Sequence, residues 1–204
     1  MGKMGDYWAS QCGNPRGFIG KIVTWAMNRA NSVMYRGIIT RMKPHDSMRI
    51  LDIGFGNGYL EKLIYKQAKC QIEGVDISED MVNVATKNNK EAVSKGMAHF
   101  AIGDCCDLAF DDFSFDVVTT MNTIYFWDDT IKGLKEIHRV LKKGGVFYNA
   151  VLTKESLDSV FYTKNGFKKF EEKEYVQMGK EAGFSYISIT PLGHKYGLLI
   201  EYKK

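Results

Sequence analysis

The stretch Ile50-Leu51-Asp52-Ile53-Gly54-Phe55-Gly56-Asn57-Gly58-Tyr59-Leu60 constrains this chain more than any other. An apolar, β-branched run ends around an acid, and three alternating glycines then open an amphipathic helix with Leu60, Leu63, Ile64 and Ala68 on one face. Glycines at a strand-to-helix turn let the backbone bend sharply and lie close to a ligand, with the first helical N–H groups pointing into the crevice. The pattern is Asp-x-Gly-x-Gly-x-Gly, whereas the dinucleotide fingerprint sets its last glycine three residues on and needs no preceding acid. Tyr59 stands where that last glycine would be, which disfavours close helix–strand packing over a pyrophosphate.

The chain beyond this turn keeps alternating between the two patterns. Strands are predicted at 48–53, 71–75, 99–102, 115–121 and 146–152, with helical patterns at 57–69, 78–93 and 129–142. Such alternation means an α/β fold, a parallel sheet with helices on both faces. The helix over 129–142 carries Ile131, Leu134, Ile137 and Leu141 as its stripe and is expected to stop at Gly144. A charged helix near 171–182 leads to strands over 184–190 and 196–202, an antiparallel hairpin turning at Pro191-Leu192-Gly193-His194. Ahead of the sheet, Ile19, Ile22, Val23, Ala26, Met27 and Ala30 share one helical face, and Met34, Tyr35, Ile38, Ile39 and Met42 share another before Pro44. The organisation expected is therefore a helical cap or lid over 1–45, or an extra core layer, ahead of a sheet domain over 46–204.

A length of 204 residues suits one domain and core, and 45% apolar with 25% charged residues excludes disordered and collagen-like chains. No apolar run approaches the roughly 18–20 residues of a membrane span, and the start lacks a signal-peptide pattern, so a cytoplasmic protein is expected. Cys12, Cys70, Cys105 and Cys106 include no CxxC pair and suit reduced thiols; Cys105-Cys106 has no matching His or Cys nearby to make a metal site. Charge is uneven: residues 1–49 hold eight basic and two acidic groups, +6, and the remainder 20 basic and 22 acidic, −2. That segment is either a solvated helix face or the footprint of an anionic partner.

Three more strand ends carry chemistry. Asp76 closes the second strand, where a carboxylate can accept hydrogen bonds from both hydroxyls of a ribose. Asp104, after the third, can accept from an exocyclic amine of adenine or serve as a turn residue. Asn122 ends the fourth, and the aromatic run Tyr125-Phe126-Trp127 after it is either core or a wall of the ligand crevice.

At these four places together the chain resembles the class I S-adenosylmethionine-dependent methyltransferases, over about residues 48–204. The resemblance implies a Rossmann-like seven-stranded, mostly parallel sheet in the order 3-2-1-4-5-7-6. It implies S-adenosylmethionine as cofactor and S-adenosylhomocysteine as its product. Asp52, Gly54, Gly56 and Gly58 would hold the amino-acid part, Asp76 the ribose, and Ile77 the adenine face. Asp104 and the backbone N–H of Cys105 would read the adenine, and Asn122 would lie beside the methionine moiety. The implied reaction is methyl transfer to a small-molecule acceptor, with Tyr7, Trp8, Tyr125 and Trp127 as candidate acceptor contacts and no metal.

Transfer from such a cofactor rests mainly on orientation, worth effective molarities of roughly 10⁵–10⁸ M. If a base assists, the hairpin turn nominates His194; the other reading is a surface turn histidine. Two further classes stay open: an RNA or protein methyltransferase using the basic N-terminal segment, and a cofactor-binding module without transfer activity. The post-strand segment Met121-Asn122-Thr123-Ile124 lacks the Asn-Pro-Pro-aromatic type of amino-methylating nucleic-acid enzymes, so a nucleic-acid partner is not expected.

Overall fold

A computed structural model describes residues 29, 31–160, 163, 166–193 and 196–204. The first predicted helix lies outside these except for Arg29, as do Tyr7, Trp8 and His194. Seven strands, β1 (Arg49–Ile53), β2 (Gln71–Asp76), β3 (Ala98–Ile102), β4 (Phe115–Met121), β5 (Leu141–Leu152), β6 (Tyr186–Leu192) and β7 (Gly197–Lys203), form one sheet in the order β3-β2-β1-β4-β5-β7-β6. Only β7 pairs antiparallel, with β5 on one side and β6 on the other. This is the order the resemblance implied.

Helices α1 (Ser32–Met42), α2 (Tyr59–Gln67), α3 (Glu79–Asn88) and α4 (Lys90–Ser94) cover one face, and α5 (Thr130–Val140), α6 (Lys154–Ser159) and α7 (Glu172–Glu181) the other. Side chains alternate across a strand, so β1 sends Ile50 into the first core and Leu51 and Ile53 into the second. With both faces covered, the central strands read as nearly continuous apolar runs.

Helix α1 is part of the core rather than a separate cap. Its Met34, Tyr35, Ile38, Ile39 and Met42 are buried with Ile50, Ile64 and Tyr148, and each fully buried aliphatic side chain contributes about 1.5–3 kcal/mol. Tyr148 also donates to the Arg41 carbonyl at 3.2 Å. A domain boundary at residue 45 therefore does not describe 32–42, which belong to the sheet domain.

The helix expected over 129–142 ends earlier. Asp129 caps its start by accepting from the Lys132 N–H at 3.0 Å, but Leu141 already pairs with Phe115 as the first residue of β5. Gly144, at φ +77, sits in an irregular stretch of that strand instead of stopping the helix. The Lys204 ammonium meets the carbonyls that α5 leaves open, those of His138, Arg139 and Leu141. The hairpin also turns later than expected: Pro191 and Leu192 pair with Leu198 and Gly197 inside the ladder, which an edge strand permits because the missing N–H faces away from its neighbour.

Candidate active site

The carboxyl ends of β3, β2, β1 and β4 lie side by side, so the turns that follow them share one edge of the sheet. The glycine turn occupies the centre of that edge. Gly54, Gly56 and Gly58 all have positive φ, +69°, +56° and +72°. Their missing side chains serve different ends. A Cβ on Gly54 would stand 2.4 Å from the Thr123 methyl, and one on Gly58 would stand 2.5 Å from Asn89 Nδ2 and 2.8 Å from Ala85 Cβ, whereas Gly56 has nothing within 4 Å. Gly58 thus lets α2 start against α3, where Asn89 donates to its carbonyl at 2.9 Å, and Gly56 presents bare backbone to open space. Asn89 makes that bond at the break between α3 and α4, the point where the single helix expected over 78–93 divides in two.

Asp76 ties the turn to the next helix. One carboxylate oxygen accepts from the Gly56 N–H and the other from the Ser78 N–H, each at 3.0 Å, while burial raises its pKa against those bonds. Beyond it Ile77 is 80% exposed, and Ile102 at the end of neighbouring β3 is 62% exposed. Asp104 is exposed and accepts from the Cys106 N–H at 2.8 Å, so it does act as a turn residue while keeping its carboxylate at the crevice edge. The Cys105 side chain points away into the core with Cys106, its thiol pKa raised by burial; only its backbone is offered to the edge.

Asn122 sits at φ +56 and is held from both sides: it donates to Asn31 Oδ1 at 3.3 Å and accepts from the Tyr125 hydroxyl at 3.2 Å. That hydroxyl also accepts from the Leu152 N–H. Tyr125 and Trp127 are core residues that reach the neighbouring cleft with little exposed surface, not the open acceptor wall expected of them: both rings are buried, and the Trp127 N–H is spent on Thr123 at 3.2 Å. The exposed aromatic of the run is Phe126, against Phe167, beside an open cleft of about 450 Å³ lined by 125–128 and 166–168.

Behind the turn lie Asp52, which the resemblance had named, and Glu61, which sequence reasoning missed. Asp52 is 3% exposed and accepts from the Thr119 hydroxyl across the β1–β4 register. Glu61, one turn into α2, is 0% exposed, and neither of its carboxylate oxygens meets an N–H or O–H donor among the described residues. The two carboxyls face each other; burial pushes Asp52 up to about 6, and burial and then Asp52 hold Glu61 well above the usual carboxylate range. An acid beside Leu60 in an amphipathic helix reads as solvated, and only the tertiary packing reveals otherwise. Ile102 was missed because it reads as one more strand residue.

A seven-stranded sheet of this order, with a glycine turn, acids after adjacent strands and open space above Gly56, defines a nucleoside-cofactor enzyme of the methyltransferase class. Residues 51–149 match the family described as a methyltransferase domain. The chain is 32% identical over 142 residues to YrhH of Bacillus subtilis, a protein named as a methyltransferase, covering 69% of this chain and 71% of that one. It is 39% identical over 112 residues to the demethylmenaquinone methyltransferase of Bacteroides fragilis, 54% of this chain and 45% of that one, so the match spans about half the length of that relative. Among solved structures, the methyltransferase bound to the Haloferax volcanii Trm112 methyltransferase activator superposes with a TM-score of 0.78 at 23% identity, over 87% and 92% of the two chains. The chain belongs to the class I S-adenosylmethionine-dependent methyltransferases.

The site's own chemistry fits that cofactor. Asp76 and Asp104 supply acceptors, Ile77 and Ile102 apolar walls for a flat ring, and the Asp52–Glu61 pair acidic groups with no cationic partner in hydrogen-bonding contact among the described residues. Among the described residues no helix is long and apolar enough to cross a membrane.

Proposed function

We propose that this protein transfers a methyl group from S-adenosylmethionine to a small-molecule acceptor. The observation that carries the reading is the open crevice above Gly56, with Asp76 below it and the cleft beside Phe126 at the end of β4. When bound, the cofactor supplies an electrophilic methyl on a sulfonium. The chain's part is to hold, orient and exclude water. Asp76 and Asp104 anchor the nucleoside, Gly54 and Gly56 bring backbone close to the amino-acid part, and Asn122, fixed by Asn31 and Tyr125, borders the acceptor side. The half-exposed Phe126 ring and its Phe167 neighbour suit a flat apolar acceptor, and a relative named for demethylmenaquinone supports a quinone-type phenol. Tyr7, Trp8 and, as a base, His194 remain part of the proposal, outside the described residues.

Methyl-labelled cofactor offered with panels of quinols, phenols, amines, thiols and RNA tests it. Label is expected in a small aromatic acceptor; label in RNA alone, or in nothing while the cofactor binds, would refute the small-molecule reading.

A further inference from the structure

The Glu61 carboxyl is the buried polar group that this reading of the site leaves without a task. It lies on α2, faces Asp52 on β1, and has no donor among the described residues to bond it, so a hydrogen bond between the two carboxyls needs a proton of their own. Asp52 is two residues before Gly54, at the floor of the crevice where the amino-acid part of the cofactor belongs. Among the described residues, the titratable groups facing the pair are Asp76 on β2 and Tyr35 on α1, one acidic and one phenolic. Fully ionised, two buried carboxylates side by side repel each other; protonated once, they form a stable pair. The methionine end of the cofactor carries an ammonium and a sulfonium beside one carboxylate, a net positive charge that favours ionisation of an acidic pair next to it.

We propose that Glu61 and Asp52 share one proton in the ligand-free protein and release it to solvent when the cationic end of S-adenosylmethionine docks, making Glu61 a positioning and charge-matching residue for the cofactor. This rests on the function proposed above. Glu61 holds the proton and Asp52 accepts the bond, since Asp52 also receives the Thr119 hydroxyl. No bond other than the O–H of Glu61 is broken. The ionised pair then faces a cofactor whose ammonium and sulfonium outweigh its one carboxylate, so the added negative charge meets a net positive one.

Titration calorimetry of the full chain with S-adenosylmethionine, in buffers of different ionisation enthalpy, counts the protons. Near pH 7 the wild type is expected to release up to about one proton per cofactor, and its affinity to rise by up to about tenfold per pH unit between pH 6 and 8. Glu61→Gln keeps the shape and an N–H donor for Asp52; its release and its pH slope should both vanish. Free-protein stability gives a readout without cofactor. A carboxyl whose folded pKa is raised stabilises fully below its unfolded value and loses that contribution as pH rises toward the folded one. Wild-type Tm should therefore fall more from pH 5 to 8 than that of Glu61→Gln. Cofactor binding with no proton release, or with the same release in both proteins, overturns the inference and leaves the proposed function standing. A wild type that binds no cofactor but shows the Tm difference overturns both the coupling and the function.

Discussion

Gly56 and Gly58 differ by two positions and share a positive φ, yet alanine at each should damage a different property. At Gly58 the new methyl would stand 2.5 Å from Asn89 Nδ2 and 2.8 Å from Ala85 Cβ, where contacts under about 3.0 Å force something to shift. The left-handed conformation costs a non-glycine residue roughly 1–2 kcal/mol, and overpacking a filled site roughly 1–3 more, so the loss should be about 2–5 kcal/mol. For a domain this size each kcal/mol lowers Tm by about 2–4 °C, giving a fall of roughly 4–20 °C. At Gly56 nothing lies within 4 Å, so Gly56→Ala pays only the conformational cost, about 1–2 kcal/mol. Its methyl instead enters the space the cofactor needs, and affinity should drop at least tenfold, about 1.4 kcal/mol. Urea unfolding and calorimetric titration of S-adenosylhomocysteine on both variants measure the two losses. A Gly58→Ala protein as stable as the wild type, or a Gly56→Ala protein that binds normally, would refute the division of labour between these glycines.

Asp76→Asn keeps an acceptor for one backbone N–H but removes the charge, and should weaken cofactor binding by about 1.5–3 kcal/mol in calorimetry. Asp76→Ala would also free the Gly56 N–H, so an effect no larger than that of Asn would contradict the tie between turn and carboxylate. Ile77→Ser should cost up to about 1–2 kcal/mol of cofactor affinity and, because the side chain is 80% exposed, less than about 0.5 kcal/mol of stability by denaturant melts. Arg139→Lys breaks the fork that joins Glu136, Asp112 and the carbonyls of Leu108 and Phe110; a loss of about 1–3 kcal/mol of folding stability is expected, and an unchanged melt would count against it.

The sheet was legible because its signals are local. The alternation of strands with helices and the acids at strand ends sit within a few residues of each other, and together they carried the resemblance that implied the strand order. What was not legible depends on which surface meets which. Leu141 is as good a helix residue as a strand residue, and its pairing with Phe115 decides between them. The aromatic run reads equally as core or crevice wall, and the fold decides: the 3₁₀ turn over Ile124–Phe126 buries Ile124 and Tyr125, the extended residue that follows, Trp127, is buried too, and Phe126 is left half-exposed. Glu61 is the clearest case: it is buried among groups distant in sequence, Asp52 on β1 and Tyr35 on α1, which its own helix does not announce.

The place of β7 has a consequence for how the chain reaches this structure. During synthesis β5 emerges with one edge paired to β4 and the other open, and β6 emerges with no neighbour at all, since its ladder is made with β7 alone. Both edges wait for residues 197–203, which fill the gap between them. Until then the twelve-residue β5 offers unpaired backbone groups flanked by apolar side chains, the kind of edge that recruits other chains. The strand last in sequence of the seven is thus the one that seals two others, so a nascent chain stalled before it would leave β6 unpaired and one edge of β5 open as well as lacking β7.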